Sequence, residues 1–372
     1  MYVFAFRPLS GKQKNNFSAF SASFAVNNFF EIAMKETENM KSKINALVIG
    51  AGNFGQYYAR IISKLNNEKL SIPLIDKLII TRTQLKRAEE MASLLRKNVD
   101  CIVNDIIAAE VNDTNELIEV LEKYRPEFIG ITARDKVIGD TIHAVYSAYA
   151  LKYGAVLCEK PFANASGDGT SLKHVTDLFN YEKSDLFSLE LPFAVVMRDL
   201  MQKKDLADLF VNAKNMEFYW ETMSSVNNNI IDALAIHPWS LIPDAYKIEA
   251  IKVEDRGLHA QIIMQLYNNE LCKNTICKIN LKAGSNFRGV MIDNYAVAIS
   301  TKGVLIKLIE LNKPIEDAAN EGKQALYGKV LLELDNPLKQ NIIAVLKNKP
   351  IVSLKKSYDS QLFLERLHGF ME

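Results

Sequence analysis

Residues 44–55, INALVIGAGNFG, decide the fold of this chain. An apolar run with the composition of a strand leads into three glycines, spaced as Gly50-x-Gly52-x-x-Gly55. In such a motif the first glycine allows a tight turn, the second lets backbone approach a pyrophosphate, and the third lets a helix pack close to the strand. An amphipathic run follows, so the stretch predicts a strand, a dinucleotide-binding turn and a helix. The alternative is a glycine turn without a ligand.

Strand and helix patterns alternate from this stretch onward. Such alternation predicts an α/β fold with a doubly wound parallel sheet, whose ligand crevice lies at the carboxyl ends of the strands. Gly50, Thr81, Thr132 and Glu159 fall at such ends. The predicted strands are 44–49, 77–81, 99–103, 127–132 and 154–158, and the predicted helices lie near 54–66, 83–97, 113–123 and 138–153.

The composition changes after residue 161. A small, polar segment comes first, and then several strand-like runs follow one another with few helices between them, which predicts an antiparallel sheet. The predicted strands are 214–220, 247–254, 258–268, 271–282, 290–299 and 303–309, with a helix near 228–242 and closing helices from about 326 to 372. The predicted domains are a loose extension at 1–42, a dinucleotide-binding domain at 43–165 and a substrate and oligomerisation domain at 166–372.

A second motif, VLCEKPFA at residues 156–163, lies about a hundred residues beyond the first. Its Glu159-Lys160-Pro161, entered from an apolar strand that carries Cys158, resembles the EKP motif of the Gfo/Idh/MocA oxidoreductases (glucose-fructose oxidoreductase and inositol dehydrogenase type). The resemblance covers roughly residues 43–310. It implies a Rossmann domain followed by an α+β domain with an open, mostly antiparallel sheet. One face of that sheet would lie over the nicotinamide, and a homo-oligomer would form through it.

Lys160 and His237 are the predicted catalytic residues. Hydride transfer needs a group that moves the hydroxyl proton, and in this family the lysine of EKP reaches the substrate oxygen and the nicotinamide ribose. The family commonly has Asp, three residues and then His on one helix face. Here Asp232 precedes His237 by five residues, a rotation of about 140° in a regular helix, so the part of Asp232 is open. Two alternatives remain for His237: it acts alone as acid or base, or it is a packed core residue.

The end of the second strand predicts a preference for NADP, with NAD as the alternative. An acid there would bind a free ribose hydroxyl, but the chain has Thr81-Arg82-Thr83, and Arg binds phosphate through forked, charged hydrogen bonds. Arg82 could instead be a solvated charge or stack on adenine. The predicted cofactor-binding residues are Gly50, Gly52, Asn53, Phe54, Gly55, Thr81, Arg82, Thr132, Glu159 and Lys160.

The overall composition argues against several other classes. A net charge of +1 gives no field that would attract nucleic acid or a membrane surface, and no apolar run approaches the ~20 residues of a bilayer span. The four cysteines fit neither a zinc pattern nor a disulfide framework, so no metal is expected and the chain is expected in the cytoplasm. Residues 1–34 are basic and poor in acids, which fits a transit segment, a loose arm, or a later start at Met34 or Met40.

The resemblance implies an NAD(P)-dependent oxidoreductase. It would transfer a hydride between the nicotinamide and a small polar carbonyl or alcohol, sugar-like or related. Two alternatives stay open: an imine reductase on the same fold, and a protein that binds NADP(H) without turnover and acts as a sensor or subunit. The expected partners are a small-molecule substrate and further copies of this chain.

Overall fold

A six-stranded parallel sheet carries the glycine motif, as the alternating pattern predicts. The strands are β1 (Lys43–Ile49), β2 (Leu74–Arg82), β3 (Asp105–Glu110), β4 (Phe128–Ile131), β5 (Ala155–Glu159) and β6 (Phe187–Glu190). Their order is β3-β2-β1-β4-β5-β6. Every residue of the central strands β4 and β5 is buried, which is why they read as continuous apolar runs. The helices around this sheet are α1 (Gly55–Ile62), α2 (Leu85–Arg96), α3 (Thr114–Tyr124), α4 (Ile142–Ala150) and α5 (Thr170–Asp177).

The computed structural model describes most of the chain after residue 42, within one compact unit from Lys43 to Glu372. The predicted extension at 1–42 lies outside the described residues. None of the described helices has both the length and the apolar composition that crossing a bilayer requires. The described residues are 43–68, 70–103, 105–133, 142–163, 165, 167–222, 230–255, 257–284, 286–302, 305–321 and 328–369.

Two details of the parallel sheet differ from the sequence predictions. The strand predicted at 99–103 is wrong: the third strand is β3, and the amide of Ile102 donates instead to the carbonyl of Ser63 after α1. Val103 is buried without being in a strand, so its apolar character reflects packing alone. The sixth strand, β6, was missed because four residues give little periodic signal, and it extends the sheet past residue 165, the predicted domain boundary.

An eight-stranded sheet forms the second layer, with the order β14-β13-β12-β11-β7-β10-β9-β8. The pair β7 and β10 is parallel and the other neighbours are antiparallel. The fold class is therefore confirmed, whereas a homo-oligomer through this sheet stays a prediction. The strands are β7 (Asn215–Thr222), β8 (Tyr246–Asp255), β9 (His259–Asn268), β10 (Lys273–Ala283), β11 (Arg288–Ile292), β12 (Tyr295–Lys302), β13 (Leu305–Glu310) and β14 (Lys329–Asp335).

Two predictions in this half of the chain were wrong. The strand at 290–299 is a hairpin, because Asp293 turns the chain with a positive φ of 50°, which Asp tolerates well. The tail begins with β14 rather than a helix. Near 228–242 the described residues are helical, as two short segments with Ala235 in helical conformation between them. The remaining helices are α6 (Pro192–Met201), α7 (Lys204–Val211), α8 (Ile230–Leu234), α9 (Ile236–Trp239), α10 (Ile315–Glu321), α11 (Pro337–Leu346) and α12 (Leu354–Leu367).

The C-terminal helix α12 holds the segment that follows the EKP motif. The amide of Ala163 donates to Oε1 of Gln361 at 3.2 Å, and the amide of Gly167 donates to Oε2 of Glu365 at 2.8 Å. Ser171 donates from its hydroxyl to the same Glu365 carboxylate. Gln361 and Glu365 are both buried, so these bonds fix the chain leaving β5 from inside the core.

Candidate active site

The three glycines have different physical reasons to be glycine. Gly50 has a φ of +83°, and a Cβ on it would lie 2.5 Å from the Cα of Ala133. A Cβ on Gly55 would lie 2.5 Å from the carbonyl oxygen of Gly50, so this glycine permits the close packing of α1. A Cβ on Gly52 would meet nothing nearer than 3.8 Å. The backbone at Gly52 therefore borders open space, as the predicted approach of a phosphate requires.

Two buried threonines hold the loop from below. Thr132 donates its hydroxyl to the carbonyl of Gly50 at 2.8 Å, and the amide of Gly50 donates to the hydroxyl of Thr81 at 3.3 Å. The amide of Ala51 donates to the carbonyl of Thr81 at 2.8 Å. Thr81 is 1% exposed, so its hydroxyl supports the loop rather than presenting itself to solvent.

A cavity of about 320 Å³ opens beside the glycine loop. Arg82 borders it, and its Nη2 lies 3.9 Å from the position that a Cβ of Gly52 would take. Glu159 is the only acid among the described residues that line this cavity. All the predicted cofactor-binding residues except Gly55 and Lys160 belong to the lining, which is Ile49, Gly50, Gly52, Asn53, Phe54, Thr81, Arg82, Thr83, Arg87, Val111, Thr132, Ala133 and Glu159.

A larger cavity of about 730 Å³ adjoins the first and shares Phe54 and Glu159 with it. Both predicted catalytic residues, Lys160 and His237, line this larger cavity. Most of the remaining wall is apolar. Its apolar and aromatic members are Phe54, Tyr57, Tyr58, Ile61, Pro192, Phe193, Leu234, Ile306, Pro337 and Leu338.

His237 lies among aromatic rings. It stacks on Trp220 with ring centroids 6.0 Å apart, and Phe193 meets it edge-on at 5.6 Å. Its Nδ1 is buried and has no hydrogen-bond partner among the described residues. Burial lowers the pKa of His237 well below its ordinary value, and the positive charges of Lys160 and Arg288 lower it further. The imidazole is therefore neutral at pH 7, with one ring nitrogen that donates and one that accepts a hydrogen bond.

Asp232 does not assist His237. Ala235, between α8 and α9, has helical dihedral angles of −60° and −33°, so the five-residue spacing leaves Asp232 and His237 on different faces. The carboxylate of Asp232 instead accepts from Nε2 of His368 at 2.7 Å, and this hydrogen bond raises the pKa of His368. The carboxylate of Asp232 thus contacts His368, the residue that follows α12, rather than His237.

Glu190 is a cavity residue that the sequence did not single out. It ends β6 beside Glu159, its register partner at the end of β5, and its Oε2 accepts from Nδ2 of Asn341 at 2.6 Å. The pKa of Glu190 is raised to about 8, mainly by burial and further by the charge of Glu159, against the lowering effect of the bond from Asn341. The sequence held one weak signal, since FSLE at 187–190, like VLCE at 156–159, begins with an apolar residue and ends in a glutamate.

Arg288 is the second residue that sequence reasoning missed. It begins β11 opposite Trp220 and lines the larger cavity together with His237. Its place beside His237 follows from the pairing of β11 with β7, two strands about seventy residues apart in the chain. No local spacing in the sequence could have indicated this neighbour.

No protein-family model and no curated protein sequence matches the chain. Solved structures do resemble it. Levoglucosan dehydrogenase in complex with NADH and levoglucosan superposes with a TM-score of 0.60 at 10% identity, covering 88% of this chain and 96% of that one. An NAD-binding oxidoreductase from Klebsiella pneumoniae gives 0.54 at 12% identity, covering 87% and 95%. A dehydrogenase (MviM) from Clostridium difficile gives 0.51 at 14% identity, covering 88% and 99%.

These likenesses show the fold. Structures of this kind have the two-domain fold of the Gfo/Idh/MocA oxidoreductases, with a Rossmann-type parallel sheet and a mostly antiparallel second sheet. The resemblance that the CEKP motif indicated is thereby confirmed at the level of the fold.

Proposed function

We propose that this chain is an NADP-preferring oxidoreductase of the Gfo/Idh/MocA type, which transfers a hydride between the nicotinamide and a small carbonyl or alcohol. The supporting observation is the adjacency of the two cavities. The cavity at the glycine loop and the cavity with Lys160 and His237 share the side chains of Phe54 and Glu159. A cofactor bound along the first would place its reactive end at the second.

The residues at the glycine loop suit a dinucleotide. Gly52 leaves room for a ligand against the loop backbone. The first amides of α1 form the positive end of the helix dipole and would point toward a phosphate bound there. Thr81 and Thr132 hold the loop in place, so the loop loses little conformational entropy when a cofactor binds. Thr132 and Glu159 would flank the nicotinamide end. When bound, the nicotinamide would supply the hydride acceptor or donor.

Lys160 would move the substrate proton. In the reducing direction its ammonium donates a proton to the carbonyl oxygen, and in the oxidising direction its neutral amine takes the proton from the hydroxyl. His237 stays neutral beside it, and one ring nitrogen can bond the same oxygen and hold it in reach of Lys160. The aromatic wall formed by Phe193 and Trp220 keeps the imidazole in one orientation and excludes water from it.

The preference for NADP rests on Arg82. The guanidinium borders the cofactor cavity near Gly52, and Arg87 borders it one turn into α2. At the end of β2 no acid among the described residues lines the cavity, where an acid would disfavour a 2′-phosphate. The buried Thr81 supports the loop, so the 2′-phosphate would lie against Arg82 and Arg87 alone.

A fluorescence titration of the purified chain with NADPH and NADH tests both parts of the proposal. We expect tighter binding of NADPH, and we expect Arg82→Gln to weaken NADPH by about tenfold while leaving NADH unchanged. Lys97→Gln, an exposed charge at the far end of α2, serves as the matched control and should change neither affinity. A preference for NADH would refute only the cofactor preference. Binding of neither nucleotide would refute the dehydrogenase assignment itself.

A further inference from the structure

Arg288 places a guanidinium in the wall of the larger cavity. Its central carbon lies 5.6 Å from the ring centroid of Trp220, the residue that also stacks on His237. Its Nη1 donates to the hydroxyl of Thr301 at 3.0 Å, which holds the side chain along the β11–β12 side of the sheet. The guanidinium is thus fixed within the site that contains the predicted catalytic residues.

The charge of Arg288 is not balanced by an acid. No carboxylate among the described residues lies within 4.0 Å of it, and its Nε is buried without a hydrogen-bond partner in that part of the chain. Burial lowers the pKa of Arg288, which shows the cost of keeping the charge there. The guanidinium is therefore partly buried, and one of its donors has no partner among the described residues. Such a group is suited to bind a ligand that carries a negative charge.

The nearby titratable groups leave this region positive. Lys160 and Arg288 both lie close enough to lower the pKa of His237, so the imidazole adds no third positive charge at pH 7. Glu190, the acid on the floor of the cavity, has a pKa of about 8 and is mostly protonated at pH 7. Two further acids line this cavity: Glu159, which also borders the cofactor cavity, and Glu68, which forms an ion pair with Lys339 at 2.6 Å. The field at Arg288 therefore favours an anion.

We propose that Arg288 binds a carboxylate of the substrate, and that the rest of the substrate is an apolar body lying against Phe54, Tyr57, Ile61 and Leu338. This inference rests on the proposed function for the identification of the larger cavity as the substrate site. A carboxylate matches the fork of a guanidinium with two parallel hydrogen bonds. The four named side chains form an apolar and aromatic part of the cavity wall, which suits the apolar body of such a substrate.

The test uses benzoate and benzamide, which have the same apolar body and differ in charge, titrated into the full chain without cofactor. Tryptophan fluorescence reports binding, because Trp220 is one of two tryptophans and lies against the guanidinium. We expect benzoate to bind at least about tenfold more tightly than benzamide. Arg288→Met should remove this preference, and Arg288→Lys should keep part of it.

Arg60→Met is the matched control, since Arg60 lines the same cavity but is exposed. It should keep the preference for benzoate. Equal affinities for the two probes, no response to benzoate at millimolar concentrations, or a preference that survives Arg288→Met would overturn the proposal. Tighter binding of phenylphosphonate than of benzoate would also overturn it, because the head group would then be a phosphoryl group. The melting temperature of each variant, measured on the same sample, separates loss of folding from loss of the site.

The outcome is independent of whether the chain is an oxidoreductase. If an Arg288-dependent preference for benzoate appears but neither NADPH nor NADH binds, the carboxylate site stands and the proposed function fails. If the nucleotides bind and the preference is absent, the oxidoreductase proposal stands and the carboxylate site fails.

Discussion

The two adjoining cavities are built in different ways. The cavity at the glycine loop is made largely of backbone, supported by Thr81 and Thr132 at the ends of neighbouring parallel strands. The larger cavity is made of side chains that come from five helices (α1, α6, α8, α9 and α11) and five strands (β5, β6, β11, β12 and β13). The cavity at the glycine loop depends on a short sequence motif, whereas the larger cavity is assembled from segments that lie far apart in the chain. On the proposed function, substrate choice would belong to the larger cavity.

Replacing Lys160 should have the largest effect, because it should greatly reduce turnover at the larger cavity without affecting cofactor binding at the glycine loop. Lys160→Met removes the proposed proton donor but leaves the glycine loop untouched, so turnover should fall by about 10²–10⁴-fold while NADPH binding is kept. Steady-state rates with an accepted substrate and a fluorescence titration of NADPH on the same preparation measure both effects.

Lys247→Met provides the control for this variant, because Lys247 is an exposed lysine on β8, away from both cavities. It should leave both turnover and NADPH binding unchanged. Persistent turnover in Lys160→Met would show that another group carries the proton and that the assignment of Lys160 is wrong.

Gly50→Ala should damage the backbone-built cavity. The methyl group would lie 2.5 Å from the Cα of Ala133 at a φ of +83°, so the loop has to move, and nucleotide affinity should fall by at least about tenfold. Gly257→Ala is the matched control: its φ is +78°, but a Cβ there meets nothing within 4 Å. It should cost about 1 kcal/mol of stability from strain alone and leave nucleotide binding intact. Equal nucleotide affinities for the two variants would contradict the close contact at Gly50.

Glu190→Gln should change how the free energy of unfolding depends on pH. The ordinary pKa of 4.5 in the unfolded chain rises to about 8 in the folded one, so ionisation favours unfolding. The stability that Glu190 contributes is complete below pH 4.5 and is lost as the pH rises toward 8, at up to about 1.4 kcal/mol per pH unit.

Denaturant titrations at several pH values measure this effect. The free energy of unfolding of the wild type should decline between pH 5 and 8 relative to Glu190→Gln, which lacks the titrating group. Glu90→Gln, an exposed acid on α2, should follow the wild type. Parallel curves for the wild type and Glu190→Gln would mean that Glu190 ionises normally.

The sequence predicted the backbone-built cavity well because its signals are local. The spacing of Gly50, Gly52 and Gly55 and the threonines at two strand ends could be recognised without knowing the tertiary structure. It also placed Lys160 and His237 on the same cavity, through the resemblance. It did not predict Glu190, because β6 is too short to show periodicity, or Arg288, because its neighbours come from strand pairing.

The bonds from α12 to the amides of Ala163 and Gly167 bear on the order in which this protein becomes functional during synthesis. Gln361 and Glu365 are added about two hundred residues after the lysine whose segment they hold. A nascent chain can complete the glycine loop and the first five strands long before that. The segment that follows Lys160 is held in place only after α12 has been synthesised. A fragment that ends after β6 would therefore keep the glycine motif but lack the hydrogen bonds that hold this segment.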